Sequence, residues 1–486
     1  MLYFIFHGGI MKKLTALLLC AIIVLSSLSL CVSAAATVSG SGSPDNIVGL
    51  NRPDEFRAYL IREFASCPEK VNIRDFLIPY SEENGQAICE FIWYEVPELF
   101  HIHGVSFHYE LGLITDIIPT YRCTPDEYAY MLAASEMAAR EMIAGTENLS
   151  DEDKVLIIHD RLCDACEYDY DGNNGLVAFT MYGALVDGIA VCDGYAHAFL
   201  YMMRLLGMEC SICASMELAH AWNIVKVDGV RYHVDVTWDD FTLFGCNAHE
   251  NLLRSTDGII STGHNATDFD RTPSDTRYDK AYWQCSESSF QLVGSDIYYI
   301  DNDKAELVRI RNGEHEVVAD VSATWFANAS QYWTGCYTRL ASADGRIFFS
   351  SPKAVKEYIP DGRVVTLLTL DLPSMDEGVI SVYGMRELGG YLLFDVNVAP
   401  DRRASARKDI GFALTYTHAR GDANGDGKVS AKDVASVLKF AAGYDPMPID
   451  RLSADVNNDG EVNAKDVAVL MRCVTGWETI PADDVR

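Results

Sequence analysis

A cysteine, a histidine and an aspartate sit in three short motifs whose types and order suit nucleophilic chemistry. They are Gly188-Ile-Ala-Val-Cys192-Asp-Gly194-Tyr-Ala-His-Ala-Phe199, His220-Ala-Trp-Asn223 and Tyr232-His-Val-Asp235-Val-Thr-Trp238. Cys192 precedes an apolar run from Tyr195 to Leu206 that closes at Gly207, which predicts a helix with the sulfur at its N-terminus. Unpaired N–H groups and the helix dipole favour thiolate over thiol there. His220 opens a predicted strand to Val227, Asp228-Gly229 is a hairpin turn signal, and Val230 to Thr237 returns. A two-residue turn pairs Val227 with Val230, sets His220 opposite Thr237 and leaves Asp235 diagonal to His220 on one face. The carboxylate can then orient the imidazole, and the imidazole can draw the proton from Cys192.

The elements that carry these motifs resemble the transglutaminase-like superfamily, which shares a papain-like core. The matching stretch runs from about 155 to 265. It takes in His159-Asp160, the Tyr182-Gly-Ala-Leu run, the Cys192 motif, His220-Ala-Trp-Asn223 and Val234-Asp-Val-Thr-Trp-Asp-Asp240. The resemblance implies an α+β core with Cys192 as nucleophile, His220 as general base then acid, and Asp235 as the group that orients the ring. It also implies acyl transfer on an amide or peptide bond, with the Cys192 backbone N–H as first oxyanion donor. Papain-like proteases often place a Gln shortly before the cysteine; position 186 is Val, so the second donor is unassigned. Water as acceptor gives hydrolysis and an amine gives protein-glutamine transglutamination. Bacterial members of the superfamily favour the peptidase or amidase reading. An inactive binding subunit that keeps the fold is the reading from another class.

Other candidates read as structural. Cys163-Asp-Ala-Cys166 and Cys210-Ser-Ile-Cys213 have zinc-like spacing. The first pair falls on a helix and the second on a strand, where odd-separated residues diverge, so core thiols are expected. His233 competes with His220 as base but lies further from the strand start. His197 and His264 read as surface or supporting residues, and Trp222 and Trp238 as cleft walls. Asp239-Asp240 is not expected to act as an acid–base pair, because adjacent strand residues diverge. No acid pair of glycosidase type stands at a recognisable motif.

Two near-copies of a calcium loop close the chain. Loop positions 1, 3, 5, 7, 9 and 12 are Asp422, Asn424, Asp426, Lys428, Ser430 and Asp433 in the first. In the second they are Asp455, Asn457, Asp459, Glu461, Asn463 and Asp466. Gly427 and Gly460 at position 6 permit the turn that gathers oxygen ligands. Position 12 is Asp where the common EF-hand pattern has Glu. The duplicated loops resemble a type I-like dockerin, which implies two calcium ions and a cohesin partner on a cellulosome-like scaffold. Cohesin reading is implied at positions 10 and 11, Ala431-Lys432 and Ala464-Lys465, identical in both copies.

Met11-Lys12-Lys13, the apolar Leu14 to Leu30 and a small-residue site near Ala34 predict a signal peptide over 1–36, with Met11 as start. A secreted protein follows, free of the membrane after cleavage. The whole chain of 486 residues carries a formal charge of −31, which argues against nucleic acid and anionic membranes. Its cysteines are too dispersed for a compact disulfide framework. The expected organisation is a mostly helical region over 45–150, the catalytic core over 151–275, a β-rich module over 280–415 and the dockerin over 420–480. In the β-rich module Ile297-Tyr-Tyr-Ile300, Ile347-Phe-Phe349 and Tyr391-Leu-Leu-Phe394 recur about every 45 to 50 residues, a hint of blade-like repeats. Three blades would not close a propeller, and a sandwich is the alternative. A protein or peptide substrate is implied.

Overall fold

The computed structural model describes residues 44–240, 245–328, 331–343, 345–359, 362–369, 379–388, 391–399, 406–413, 420–424, 428–441, 449, 451–457, 462–477 and 479. The segment read as a signal peptide lies outside them, as do Asp426, Gly427, Asp459, Gly460 and Glu461. The chain divides into two compact units, the first comprising residues 1–242 with 247–284 and the second 243–246 with 285–486.

The first unit opens with α1 (Pro53–Phe64), whose Phe56, Leu60 and Phe64 recur every four residues and are fully buried. One-sided burial of this kind, more than propensity, stabilises a short helix. Strand β1 (Val71–Asn72) precedes α2 (Glu82–Glu90), which Ser81 caps by accepting from Asn84 N at 3.0 Å. The expected one or two strands near Val105 are a hairpin, β2 (Ile102–Glu110) and β3 (Leu113–Tyr121), with β1 paired to β3. Helix α3 (Pro125–Ile143) starts at a Thr124–Glu127 capping box, and α4 (Asp151–Ala165) at Ser150.

Next come β4 (Glu167–Tyr168), β5 (Ile189–Ala190), which pairs with it in parallel, and α5 (Cys192–Leu205). Strands β6 (Cys210–Ser215), β7 (His220–Val227) and β8 (Val230–Val234) form an antiparallel sheet with β7 in the centre. The turn between β7 and β8 is as expected: Val227 pairs with Val230, and Asp228 and Gly229 both take positive φ, 49° and 82°. The return strand is shorter than expected. It stops at Val234, because Asp235 accepts the Trp238 N–H at 3.2 Å and caps a short helix, α6 (Val236–Asp239). Thr237 therefore lies on a helix and does not pair with His220. Helix α7 (Thr256–Ser261) follows.

The second unit is a run of antiparallel sheets, each built from consecutive strands. The first runs β9 (Gln291–Val293), β10 (Asp296–Asp301), β11 (Glu306–Arg311) and β12 (Glu314–Asp320). After the ribbon β13 (Ala323–Asn328) and β14 (Gln331–Gly335) comes the sheet β15 (Leu340–Ala343), β16 (Arg346–Ser351), β17 (Ala354–Ile359) and β18 (Arg363–Thr369). The last is β19 (Val379–Leu388), β20 (Tyr391–Ala399) and β21 (Ala406–Ala413). The three recurring apolar runs are the inner strands β10, β16 and β20. Ile347 and Phe349 pack with Tyr298 and Ile300 of the first sheet, while Phe348 packs with Phe394 of the last. The alternating pleat thus buries both faces of β16 over Ile347, Phe348 and Phe349, which is why these three are apolar in succession. The unit ends in helices α8 (Ala431–Ala441) and α9 (Ala464–Val474), whose Val437, Val467 and Leu470 share a core with Ala423 and Val456. No described helix is long and apolar enough to cross a membrane.

Candidate active site

Cys192 is the first residue of α5 and is 4% exposed. Helix α5 is anchored on both sides. Gly194 lies so close to the preceding segment that a Cβ there would fall 2.5 Å from the Ala178 carbonyl oxygen. On the other side Asn223 of β7 donates its Nδ2 to the Ala196 carbonyl at 3.0 Å. The Asn that closes the His220 motif thus ties the strand bearing the histidine to the helix bearing the cysteine, a role its sequence position alone does not disclose.

His220 enters β7 from a turn in which Ala219 takes φ 48°. The Asp268 carboxylate holds that turn by accepting the Met216 and Glu217 N–H groups at 2.8 and 3.0 Å. His220 Nε2 lies 2.7 Å from Asp235 Oδ2. Both groups are buried, Asp235 fully. Burial would raise the Asp235 pKa, but the histidines facing it hold it far below the ordinary carboxylate range. With Nε2 committed to Asp235, Nδ1 is the nitrogen left for proton exchange with a thiol. Trp222 and Trp238 flank the ring, with centroids 5.6 and 5.2 Å away.

His264 is fully buried and its Nε2 is 2.8 Å from the same Asp235 Oδ2. It is not a surface residue; it helps fix the carboxylate. His197 is likewise buried, with Nε2 2.7 Å from the Trp93 carbonyl. His233 faces away from this pair, its Nδ1 accepting from Trp222 Nε1 at 3.1 Å and its Nε2 3.2 Å from Thr256 Oγ1. Burial pushes its pKa down to about 3, so it is a neutral structural ring. Asp193, next to Cys192 in the chain, accepts from Cys192 Sγ at 3.8 Å. Its own pKa is raised by burial, against the pull of His197 and His220, which lessens the like-charge penalty it would impose on a thiolate.

A second buried polar cluster stands behind the site. His159 Nδ1 is 2.8 Å from Asp160 Oδ1, and His159 Nε2 is 3.3 Å from Asp239 Oδ2. His249 Nε2 lies 3.0 Å from Asp160 Oδ1. Asp239 also accepts the Asn251 N–H at 3.0 Å and its Nδ2 at 2.8 Å. Asp240 instead takes the Tyr195 hydroxyl at 2.6 Å. The two neighbouring acids diverge as expected, although they close a helix rather than a strand. Together they fasten α6, which begins at Asp235, to α4 and α5.

The four cysteines of the CxxC pairs are buried and carry no disulfide. Burial pushes the Cys210 thiol up to about 12 and raises the Cys163, Cys166 and Cys213 thiols as well. Histidine–aspartate groups of metal-binding type occur at His159–Asp160–His249 and His220–Asp235–His264.

In the C-terminal loops the position-12 carboxylates repeat one pattern. Asp433 accepts the Asn424 N–H at 3.1 Å and the Ser430 N–H at 2.7 Å. Asp466 accepts the Asn457 N–H at 3.2 Å and the Asn463 N–H at 2.9 Å. Asp422, Asp433 and Asp466 are buried, and Asp455 is half-buried. Carboxylates gathered in a loop of hard oxygen donors fit calcium. Lys428 is exposed in this loop. Ala431, Ala464 and Lys465 are exposed and Lys432 is half-buried, all in the first turns of α8 and α9.

Residues 136–236 match the family model for the Transglutaminase-like superfamily, and residues 420–475 that for the Dockerin type I domain. The chain thus carries a transglutaminase-like domain and a type I dockerin. A solved structure described as "Crystal structure of a TGase" matches at 14% identity, over 33% of this chain and 48% of its own, with a TM-score of 0.20. The chain thus spans about half the length of that structure. No curated protein matches.

Proposed function

We propose that the transglutaminase-like domain is a cysteine-nucleophile enzyme that hydrolyses amide or peptide bonds, presented on a scaffold by the dockerin. One observation carries the reading. The His220 ring is held by Asp235 at 2.7 Å, on the strand that Asn223 ties to the helix beginning at Cys192.

In this reading His220 Nδ1 takes the Cys192 proton, and the thiolate attacks the amide carbon. The carbon–nitrogen bond of the tetrahedral intermediate breaks as the imidazolium returns that proton to the leaving amine. Asp235 stays ionised and supports the imidazolium throughout. The thioester is then hydrolysed by a water that His220 deprotonates, and Cys192 is regenerated. The Cys192 backbone N–H, in the first turn of a helix where amides lack intrahelical partners, is the oxyanion donor assigned here.

The dockerin holds two calcium ions in this reading. Asp422, Asn424, Asp426, Lys428, Ser430 and Asp433 supply one loop, and Asp455, Asn457, Asp459, Glu461, Asn463 and Asp466 the other. Ala431-Lys432 and Ala464-Lys465 meet the cohesin, and the protein works outside the cell on its scaffold. The substrate is a protein or peptide.

The test is product analysis on a peptide mixture with and without a primary amine, in the full chain and in Cys192→Ala. New amino termini made only by the intact protein support hydrolysis. Amine incorporation in their place makes the enzyme a transglutaminase, and neither product from either protein removes the catalytic reading.

A further inference from the structure

The chemistry above gives the developing oxyanion one donor, the Cys192 N–H, and leaves the second unassigned. Preorganised donors aimed at that charge are usually the largest single contribution to such catalysis. The Gln that papain-like enzymes often place shortly before the cysteine has no counterpart here, since position 186 is Val. A second donor has to come from an element packed against the first turn of α5.

Residues Phe91–Glu95 are such an element. They continue α2 as a single π-helical turn. Single π-turns are rare and are found frequently at functional sites. This one is clamped to α5 at two points. His197 Nε2 lies 2.7 Å from the Trp93 carbonyl oxygen. Arg204 donates its Nη2 to Glu95 Oε2 at 2.5 Å and its Nη1 to the Glu95 carbonyl. Tyr94 is the residue between the two clamps. It precedes residues 136–236, so it is an addition to the matched domain.

The clamp at Trp93 sits on the face of α5 that holds the thiol. Asp193 and His197 are four residues apart and share one face of the helix. Helical side chains lean toward the N-terminus, so the His197 ring and the Trp93 carbonyl it meets lie over the turn that carries Asp193. Asp193 in turn accepts from Cys192 Sγ at 3.8 Å. Tyr94 itself is half-buried, and its hydroxyl makes no hydrogen bond among the described residues. Burial raises that hydroxyl above the ordinary phenol value, and the charges of Asp193, Glu90 and Cys192 raise it further. The phenol is thus close enough to Asp193 and Cys192 to feel both charges, and at neutral pH it stays protonated and able to donate.

We infer that the Tyr94 hydroxyl is the second oxyanion donor, bonding together with the Cys192 N–H to the carbonyl oxygen of the group that Cys192 attacks. The assignment rests on the acyl-transfer reading of the site. As the thiolate adds to the carbonyl carbon, the carbonyl π pair moves onto the oxygen. The Tyr94 O–H and the Cys192 N–H donate to that oxygen, and neither proton is transferred. When the pair returns, the carbon–nitrogen bond breaks and the nitrogen takes the proton held by His220. The bond from Tyr94 strengthens only as charge develops, so it speeds acylation without changing the reactivity of the free thiol.

The experiment compares two reagents that reach the same thiol by different routes, in the full chain. p-Nitrophenyl acetate acylates it through a tetrahedral oxyanion and releases p-nitrophenolate. Iodoacetamide alkylates it by displacing iodide at a saturated carbon, and no oxyanion forms. Release by Cys192→Ala is subtracted from the first rate, and peptide mass spectrometry reads the second. Tyr94→Phe keeps the ring and removes only the hydroxyl. It is expected to slow acylation at least about tenfold while the alkylation rate against pH stays within about twofold of wild type. The buried Cys163 and Cys213 report folding in the same samples by labelling no faster than in wild type. Acylation as fast in Tyr94→Phe as in wild type overturns the assignment and leaves the catalytic reading intact. Slowing of both reactions together, or a shifted alkylation profile, also overturns it, since either marks a role in packing or in holding the thiol through Asp193. A wild-type Cys192 inert to both reagents removes the acyl-transfer reading and the assignment with it.

Discussion

Replacing His159 by glutamine tests how the site is held together. The ring is fully buried between Asp160 at 2.8 Å and Asp239 at 3.3 Å. Burial alone would lower its pKa from 6.5, but the two carboxylates outweigh burial and bring it to about 10. His159 is therefore an imidazolium at neutral pH, bridging α4 to the helix that starts at Asp235. A folded-state pKa above the unfolded one gives stability that is complete below pH 6.5 and lost as pH rises toward 10. At about 1.4 kcal/mol per pKa unit, the span from 6.5 to about 10 sets a ceiling near 5 kcal/mol. Removing one partner of a buried ion pair typically costs about 3–5 kcal/mol, in line with that ceiling. His159→Gln keeps an amide donor and loses the charge. Hydrogen exchange of peptides from residues 151–165 in the full chain reads the local loss. At pH 6 a loss of about 3 kcal/mol accelerates exchange roughly 100-fold over wild type at the same pH. By pH 10 the ratio should fall to a few-fold. A ratio below about threefold at pH 6, or one that does not decline between pH 6.5 and 10, would refute the imidazolium bridge.

Three further outcomes follow from the same geometry. Asp235→Asn removes the carboxylate shared by His220 and His264, and turnover should fall about 10³–10⁴-fold while circular dichroism stays unchanged. Gly194→Ala drives a methyl to 2.5 Å from the Ala178 carbonyl oxygen, which should destabilise the first unit by about 1–3 kcal/mol in denaturant melts and slow Cys192 alkylation. Calcium chelation should abolish the exchange protection of α8 and α9 and cohesin capture together, and Asp433→Ala with Asp466→Ala should reproduce this without chelator.

The parts of the site legible in the sequence are those set by local rules. Asp228-Gly229 specifies a two-residue turn, and that turn fixes the register between the His220 and Asp235 strands. A cysteine ahead of an apolar run ending in glycine marks a helix start. The strand break at Asp235 was not legible, because the same side chain that faces His220 also caps the Trp238 amide and ends the strand. That His264 is a support rather than a surface residue, and that His249 is one at all, was not legible for another reason. Their partners Asp235 and Asp160 are 29 and 89 residues away, and no local pattern encodes such contacts. In the second unit the recurring aromatic runs signalled strands, and the sheet order shows them to be inner ones. That β16 is covered on both faces depends on the packing of neighbouring sheets, which the period of two in one strand does not specify.

The central claim is that Cys192 is an activated thiolate served by His220. Its most direct test is the alkylation rate of Cys192 by iodoacetamide against pH, read by peptide mass spectrometry in wild type and His220→Ala. Labelling that is fast well below pH ~8.5, the value for a free thiol, and lost in His220→Ala is the predicted result. Labelling in both proteins no faster than at the other cysteines would contradict the account.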